Sequence, residues 1–427
     1  MNTPVDKWSP PFGYVPVESL VAGIAVFAPA AAEARDQPET FVCPNCGAAT
    51  AYNVAAGGVA CEHCGYVHVP EADVVGRDAQ EFEFTLDSLD RAARGWGAAR
   101  RELHCENCGA DLTLADGSLT TTCPFCTSSR VVTRAAAQDA LRPRFLIPFK
   151  IEPERCTEIA RAWLGRGWLH PGELARSARL ERFTGVYLPF WTFDARVEAT
   201  WEAEVGYKRK KTVWEDGELK TKTVIEWRWE NGQVTVPVDD LLQTGTTKTS
   251  ANLIVGLYPF DLDALAAYDA GYLAGWQAQA YDIGLEPAWD TAREEMRERA
   301  RQASRDSIAS RHVRNFSMAA DFRDETWRYV LLPVYVAAYQ FEGRVFQVLI
   351  NGQTGAVSGQ KPVAWWKVWA AIAALLAPGA LCGLIGLITI PLGGAGGLGV
   401  IAGLILLFVG GVVAVGLFRK AQPADET

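Results

Sequence analysis

The chain has 427 residues, ten cysteines and a formal net charge of −9. That length holds two to four domains, and the acidic balance argues against bulk binding to nucleic acid, which needs Lys and Arg gathered in one patch. Charge is also unevenly spread: the fifty residues from Trp369 to Phe418 contain no Asp, Glu, Lys or Arg.

Residues 1–40 are rich in Pro and Ala and read as a loosely ordered leader. Within it, Leu20 to Ala32 is apolar and ends in Ala30-Ala31-Ala32. Only Lys7 precedes that stretch and Glu18 adjoins it, so the basic region of a signal peptide is weak.

Eight cysteines follow in four C-x-x-C pairs. Cys43-Pro-Asn-Cys46 with Cys61-Glu-His-Cys64 forms one set, and Cys105-Glu-Asn-Cys108 with Cys123-Pro-Phe-Cys126 the other. Both follow C-x2-C-x14-C-x2-C, offset by 62 residues throughout. Each knuckle aims two thiolates at one point, and Gly47, Gly65 and Gly109 relieve the crowded backbone just after it. Four sulfurs at ~2.3 Å complete a tetrahedron around Zn²⁺ and leave no position for water or substrate, so the predicted metal is structural. Ribbons this short have almost no core, and metal must supply folding energy of about 10 kcal/mol or more. Redox dithiols are the competing reading, and iron in place of zinc stays open. His63, His68 and His104 lie close by, but four cysteines already complete each set. We therefore expect a zinc ribbon at 41–80, a charged helical linker at 81–101 and a second ribbon at 102–134. Neither ribbon has a Lys or Arg between its first and last cysteine, so protein contact or bracing suits them better than phosphate.

Residues 145–362 read as an α+β body. Cys156, Ile159, Ala160, Trp163 and Leu164 share one helical face, which makes Cys156 a core thiol. Residues 261–284 and 287–311 also read as helices. Trp201, Ala203, Val205 and Tyr207 alternate with acids, as do Ile225, Trp227 and Trp229 with charged residues. Matching those apolar faces requires a three-residue loop, Asp216–Glu218, with Val205 opposite Trp229. A second hairpin turning at Glu342-Gly343 sets Tyr339 against Phe346, Ala337 against Val348 and Tyr335 against Ile350. Asn351 to Gly355 marks a further tight turn. An apolar–Pro–apolar echo recurs at Pro148, Pro189 and Pro333, from duplication or from shared edge chemistry. The run Lys208-Arg209-Lys210-Lys211 near the first hairpin tip reads as a solvated edge that resists aggregation; contact with anionic lipid is the alternative.

The fifty uncharged residues would span ~75 Å as one helix, against a hydrocarbon core of ~30 Å. Two transmembrane helices, 369–390 and 398–418, joined by Pro391 to Gly397, fit instead, with a tail at 419–427. Lys361 and Lys367 precede the pair, and Arg419 and Lys420 follow it. The positive-inside rule then puts both termini in the cytoplasm of a multi-pass inner- or plasma-membrane protein, where thiols stay reduced. Trp365, Trp366 and Trp369 suit the interface belt. Gly379-x3-Gly383 and Gly399-x3-Gly403 permit either packing of the spans on each other or oligomerisation.

No catalytic constellation is visible. There is no Gly-Lys pair and hence no P-loop, no G-x-S-x-G and no H-E-x-x-H, while His170 and His312 stand alone. We expect a protein that is not an enzyme.

The duplicated ribbon, Gly185-Val-Tyr-Leu-Pro-Phe-Trp-Thr-Phe-Asp194 and Val348-Leu-Ile-Asn-Gly-Gln-Thr-Gly355 resemble a bacterial family described as TFIIB-type zinc ribbon-containing proteins. Its members are sometimes labelled primosomal protein N′ (replication factor Y) or superfamily II helicase. The resemblance covers most of residues 41–367. It implies a membrane scaffold in stress response, with phage-shock-protein-A-like or stomatin-like (SPFH) proteins as partners. The sequence thus predicts two zinc ribbons, an α+β body and a transmembrane helical hairpin, acting as a membrane-anchored adaptor that binds lipid and other proteins. A membrane-tethered nucleic-acid-binding protein is the alternative.

Overall fold

The computed structural model describes residues 14–17, 26–29, 42–70, 74–76, 82–83, 101–107, 109–114, 123–125, 128–135, 141–180, 182–215, 218–390 and 396–426. The body's main elements are β1 (Phe145–Leu146), α1 (Pro153–Leu164), β2 (Thr184–Glu215), β3 (Glu218–Thr244), β4 (Gln277–Ala278), α2 (Leu285–Asp306), β5 (His312–Phe341), β6 (Arg344–Asn351) and β7 (Val357–Gly359). Two helices follow, α3 (Trp365–Thr389) and α4 (Gly396–Glu426). β2 and β5 run antiparallel through the centre of one sheet, flanked by the hairpin partners β3 and β6.

The sheet contains two copies of one strand–helix–hairpin unit, β1-α1-β2-β3 and β4-α2-β5-β6. The short strand of each copy pairs parallel with the long strand of the other: β1 with β5, and β4 with β2. Tyr187 pairs with Pro333 and Pro189 with Leu331, around a centre at Leu188 and Leu332. Equivalent hydrogen bonds recur. Gly245 N–H donates to the Pro189 carbonyl at 2.8 Å, and Gly352 N–H to the Pro333 carbonyl at 2.8 Å. The N–H groups of Asp282 and Ile283 donate to Gly245 O at 2.9 and 3.0 Å, and those of Lys150 and Ile151 to Gly352 O at 2.8 and 2.9 Å. Trp191 Nε1 donates to Ile283 O at 3.0 Å and Tyr335 Oη to Ile151 O at 2.6 Å.

This explains two prolines inside long strands. A proline has no N–H to give to a ladder. Pro189 faces the gap between the C-terminal ends of β4 and β3, and Pro333 the gap between the C-terminal ends of β1 and β6. Each is an edge position in the interior of the sheet.

α1 opens on Pro153, carries Glu154 in its first turn and Arg161 in its last, and buries Cys156, Ala160 and Leu164 at four-residue spacing. The Cys156 thiol is fully buried, and desolvation, with Glu154 nearby, pushes it up to about 12. It is an inert core group. α2 buries Leu285, Ala288, Trp289, Ala292, Met296 and Ala300. Both helices lie over one apolar layer with Trp191, Phe193, Tyr335 and Tyr339. The other layer gathers Leu103, Leu112 and Phe125 from the second cysteine segment with Val186, Leu188 and Leu332.

Three expectations change. The hairpin register is Val205↔Arg228 and Glu215↔Glu218, which leaves two residues between the paired ends rather than the three of the expected loop. The reason is a pair of glycines. Gly206 lies opposite Trp227 and Gly232 opposite Trp201, so each tryptophan ring covers a glycine and faces need not match residue by residue. Second, residues 261–284 are not a helix. They form 3₁₀ turns at Leu262–Ala264 and Ala270–Leu273 and the short strand β4. Asp261 and Asp269 cap those turns through Asp263 N and Gly271 N, closing them locally. Third, α2 ends at Asp306, and β5 begins at His312.

The second hairpin has the expected pairs Tyr339↔Phe346, Ala337↔Val348 and Tyr335↔Ile350. Its turn residues Glu342 and Gly343 both have positive φ, 48° and 78°, as a mirror-image two-residue turn requires. The Asn351 side chain then accepts from Gln353 N at 2.8 Å and Thr354 N at 3.0 Å, closing the next turn. In the leader, Tyr14–Val17 pairs antiparallel with Val26–Pro29. Most of the predicted linker helix lies outside the described residues; Phe82 and Glu83 form a short strand against Trp327 and Thr326.

α3 and α4 are long and apolar enough to cross a membrane, and little of either is buried. They pack as an antiparallel pair through glycines: a Cβ at Gly403 would lie 2.5 Å from Gly383 N, and one at Gly379 2.7 Å from Leu407 N. Gly379 and Gly403 thus face the partner helix of the pair, whereas a Cβ at Gly383, Gly411 or Gly416 would meet nothing within 4 Å.

Candidate metal centre

Three short antiparallel strands, Ala51–Asn53, Gly58–Ala60 and Val67–His68, form the first ribbon. Its two knuckles are alike. Gly47 N–H donates to Cys43 O at 2.9 Å and Cys43 N–H to Ala48 O at 2.7 Å; Gly65 N–H donates to Cys61 O at 2.9 Å and Cys61 N–H to Tyr66 O at 2.8 Å. Gly47 and Gly65 sit at φ of 73° and 74°, the left-handed region that favours glycine.

These turns bring all four sulfurs together. The Sγ atoms of Cys43, Cys46, Cys61 and Cys64 lie within 4.8 Å of one another, with Cys43–Cys64 and Cys46–Cys61 both at 3.5 Å. Tetrahedral zinc with bonds of ~2.3 Å separates its sulfurs by about 3.8 Å, so the set fits such an ion closely. Cys43 and Cys61 are buried, whereas Cys46 and Cys64 face outward. The Asn45 side chain and the Tyr66 N–H hold the Cys64 thiol down at about 6. Against the lowering pull of the Ala48 N–H, desolvation and the other sulfurs push Cys46 up to about 12. A crowded thiol set of this kind needs a divalent cation before every member can ionise.

The ribbon is docked on the body. Tyr52 N–H donates to Ala274 O at 2.8 Å, Trp276 Nε1 donates to Tyr52 O at 3.1 Å, and the Tyr52 and Tyr272 rings lie 5.2 Å apart. Trp276 in turn stacks on Phe149 at 4.3 Å. The ribbon is thus tied through Trp276 and Phe149 to the core layer of the body.

The second set repeats the knuckle at Cys105: Gly109 N–H donates to Cys105 O at 2.8 Å, Cys105 N–H to Ala110 O at 2.9 Å, and Gly109 has φ of 67°. Cys105 and Cys123 are both buried in the same apolar layer, while Cys108 and Cys126 lie outside the described residues. This segment is continuous with the body sheet, since Thr113 pairs with Ala278 of β4 and the Gln347 side chain donates to Phe125 O. His63 and His68 do not join the first cluster, and His104 engages Asp111 at 2.6 Å.

Sequence reasoning missed a second polar cluster, in which Asp194, Asp239 and Asp240 converge. A fully buried guanidinium, Arg328, already supplies the positive charge, paired with Asp240 and 3.6 Å from Asp194. Asp240 stands at φ 53° where the β2–β3 register shifts. The cluster is an ion pair that pins a bulge, and nothing in residue spacing announces it.

No family model matches this chain, and no solved structure does. It is similar to the uncharacterized protein YdjG of Bacillus subtilis (strain 168), with 28% identity over 346 residues, 77% of this chain and 92% of that protein.

Proposed function

We propose that this chain is a membrane-anchored adaptor without catalytic activity, in which zinc holds the ribbons in shape and the ribbons and body present surfaces to other proteins. The observation that carries this reading is the convergence of Cys43, Cys46, Cys61 and Cys64 on a ribbon bonded through Tyr52 to the body. Four protein ligands close the site to substrate, so the ion braces rather than reacts.

The same body grips the start of α3. Lys361 Nζ donates to the carbonyls of Trp163 and Arg166 at 2.6 and 3.0 Å, at the C-terminal end of α1. Lys367 Nζ donates to His170 O at 2.7 Å. The four-cysteine cluster, the sheet and the apolar helices therefore form one connected path. In this reading α3 and α4 cross the membrane with both ends in the cytoplasm, and Cys105, Cys108, Cys123 and Cys126 hold a second ion. The kinship is with the TFIIB-type zinc-ribbon proteins.

The test is affinity capture from solubilised membranes with wild type, Cys43→Ser and Cys105→Ser. Partners captured by wild type should be lost from at least one mutant. An unchanged set of partners in both would remove the ribbons from the mechanism.

A further inference from the structure

We propose that the open edge of the β2–β3 ribbon accepts an extended acidic segment of another protein as an added strand; this names the partner chemistry of the adaptor and rests on that reading. β5 pairs with β2 only as far as His312↔Gly206. β2 and β3 run on together to Glu215↔Glu218. Among the described residues no strand lies against β2 beyond Gly206. At ~3.3 Å per residue the bare edge is about 30 Å long.

Its hydrogen-bonding groups face outward. Gly206 O accepts from Ser310 Oγ, on the β5 side. Strand alternation then turns the backbone N–H and C=O of Lys208, Lys210 and Thr212 to that same side, with no ladder partner. Such an edge is a template for strand addition.

Charge and apolar surface choose the occupant. Lys208 and Lys210 lie on one face, across from Ile225 and Thr223; Arg209 and Lys211 lie on the other, across from Val224 and Lys222. Trp214, Leu219 and Trp229 are exposed along the same ribbon. At its foot, where β5 begins, a concavity of about 690 Å³ is lined by Arg305, Arg311 and Arg314. Arg314 is held there by Glu204 and lies 4.1 Å over the Trp227 ring. A strand with a run of acidic residues beside Lys208 to Lys211, which meets cations on both faces, followed by apolar residues beside Trp214 matches this pattern.

Two other polyanions fit less well. A nucleic-acid backbone offers only acceptors, whereas the edge presents N–H and C=O in alternation. Anionic lipid lies at the wrong end. The far end of β5 is tied to the start of α3 through Tyr339 Oη and Gln360 O, about 90 Å of strand from His312.

The probe is a fluorescein-labelled octapeptide of four Glu followed by four Val, titrated into full-length protein in detergent and followed by polarisation. Wild type should bind it saturably and ignore the Lys-Val counterpart. Thr212→Pro removes one outward N–H without touching the β2–β3 ladder and should weaken binding about tenfold. Reversing Lys208, Arg209, Lys210 and Lys211 to Glu should transfer the preference to Lys-Val, and this decides the matter if Thr212→Pro misfolds. The site is overturned if the Glu-Val peptide does not bind, if folded Thr212→Pro binds it unchanged, or if oligothymidine or phosphatidylglycerol vesicles displace it. Zinc content and partner capture are read on the same preparations, so failure here with both intact counts against this edge and not against the adaptor.

Discussion

Trp201 lies directly across the β2–β3 hairpin from Gly232, and its indole fills the space a side chain would need: a Cβ on Gly232 would sit 2.7 Å from Trp201 Cε2. Nearer the tip the roles reverse, with Trp227 opposite Gly206 and 3.1 Å from a Cβ built there. Two glycine–tryptophan pairs on opposite faces thus favour this register, because a shift of one residue would set each ring against a side chain. Gly232→Val should cost about 1–3 kcal/mol through forced displacement of the ring, read as a lower melting temperature. An unchanged melt would mean that the register has another source.

The duplicated units predict paired effects. Trp191→Phe removes the hydrogen bond to Ile283 O, and Tyr335→Phe the bond to Ile151 O. The hydrogen bond should be worth about 1 kcal/mol in each case in denaturant unfolding, beyond the cavity that Trp191→Phe also opens at a fully buried site. Similar losses from two residues so distant in sequence would reflect their equivalent places in the two units.

Docking of the first ribbon is separable from its metal. Tyr52→Ala deletes the ring packed on Tyr272 but none of the four sulfurs. Zinc content should hold while limited proteolysis cuts the ribbon region faster. Loss of the metal would show that the ribbon cannot fold undocked.

Glycines of the apolar pair fall into two classes. Gly403→Leu would drive a side chain into Gly383 and separate α3 from α4, whereas nothing lies within 4 Å of a Cβ on Gly397. The first substitution should lower thermal stability in detergent and the second leave it near wild type. Equal behaviour would contradict the observed packing.

Much of this was legible in the residues. The C-x-x-C spacing placed Cys43, Cys46, Cys61 and Cys64 together because a knuckle is local chemistry. The Glu342-Gly343 turn fixed its hairpin because turn type and apolar alternation agree there. Charge depletion marked α3 and α4. The failures were nonlocal. The register of β2 and β3 depends on rings covering glycines, and residues 261–284 carry apolar groups for two different core layers, so their spacing imitates a helix. The Arg328 ion pair joins strands distant in sequence, and no periodicity encodes it.

Metal analysis of the purified full-length protein tests the central claim most directly. Zinc measured by plasma mass spectrometry should approach two ions per chain, one for each set of four cysteines, and Cys43→Ser should lower it by one. Protein that is folded and carries no stoichiometric metal would contradict the account.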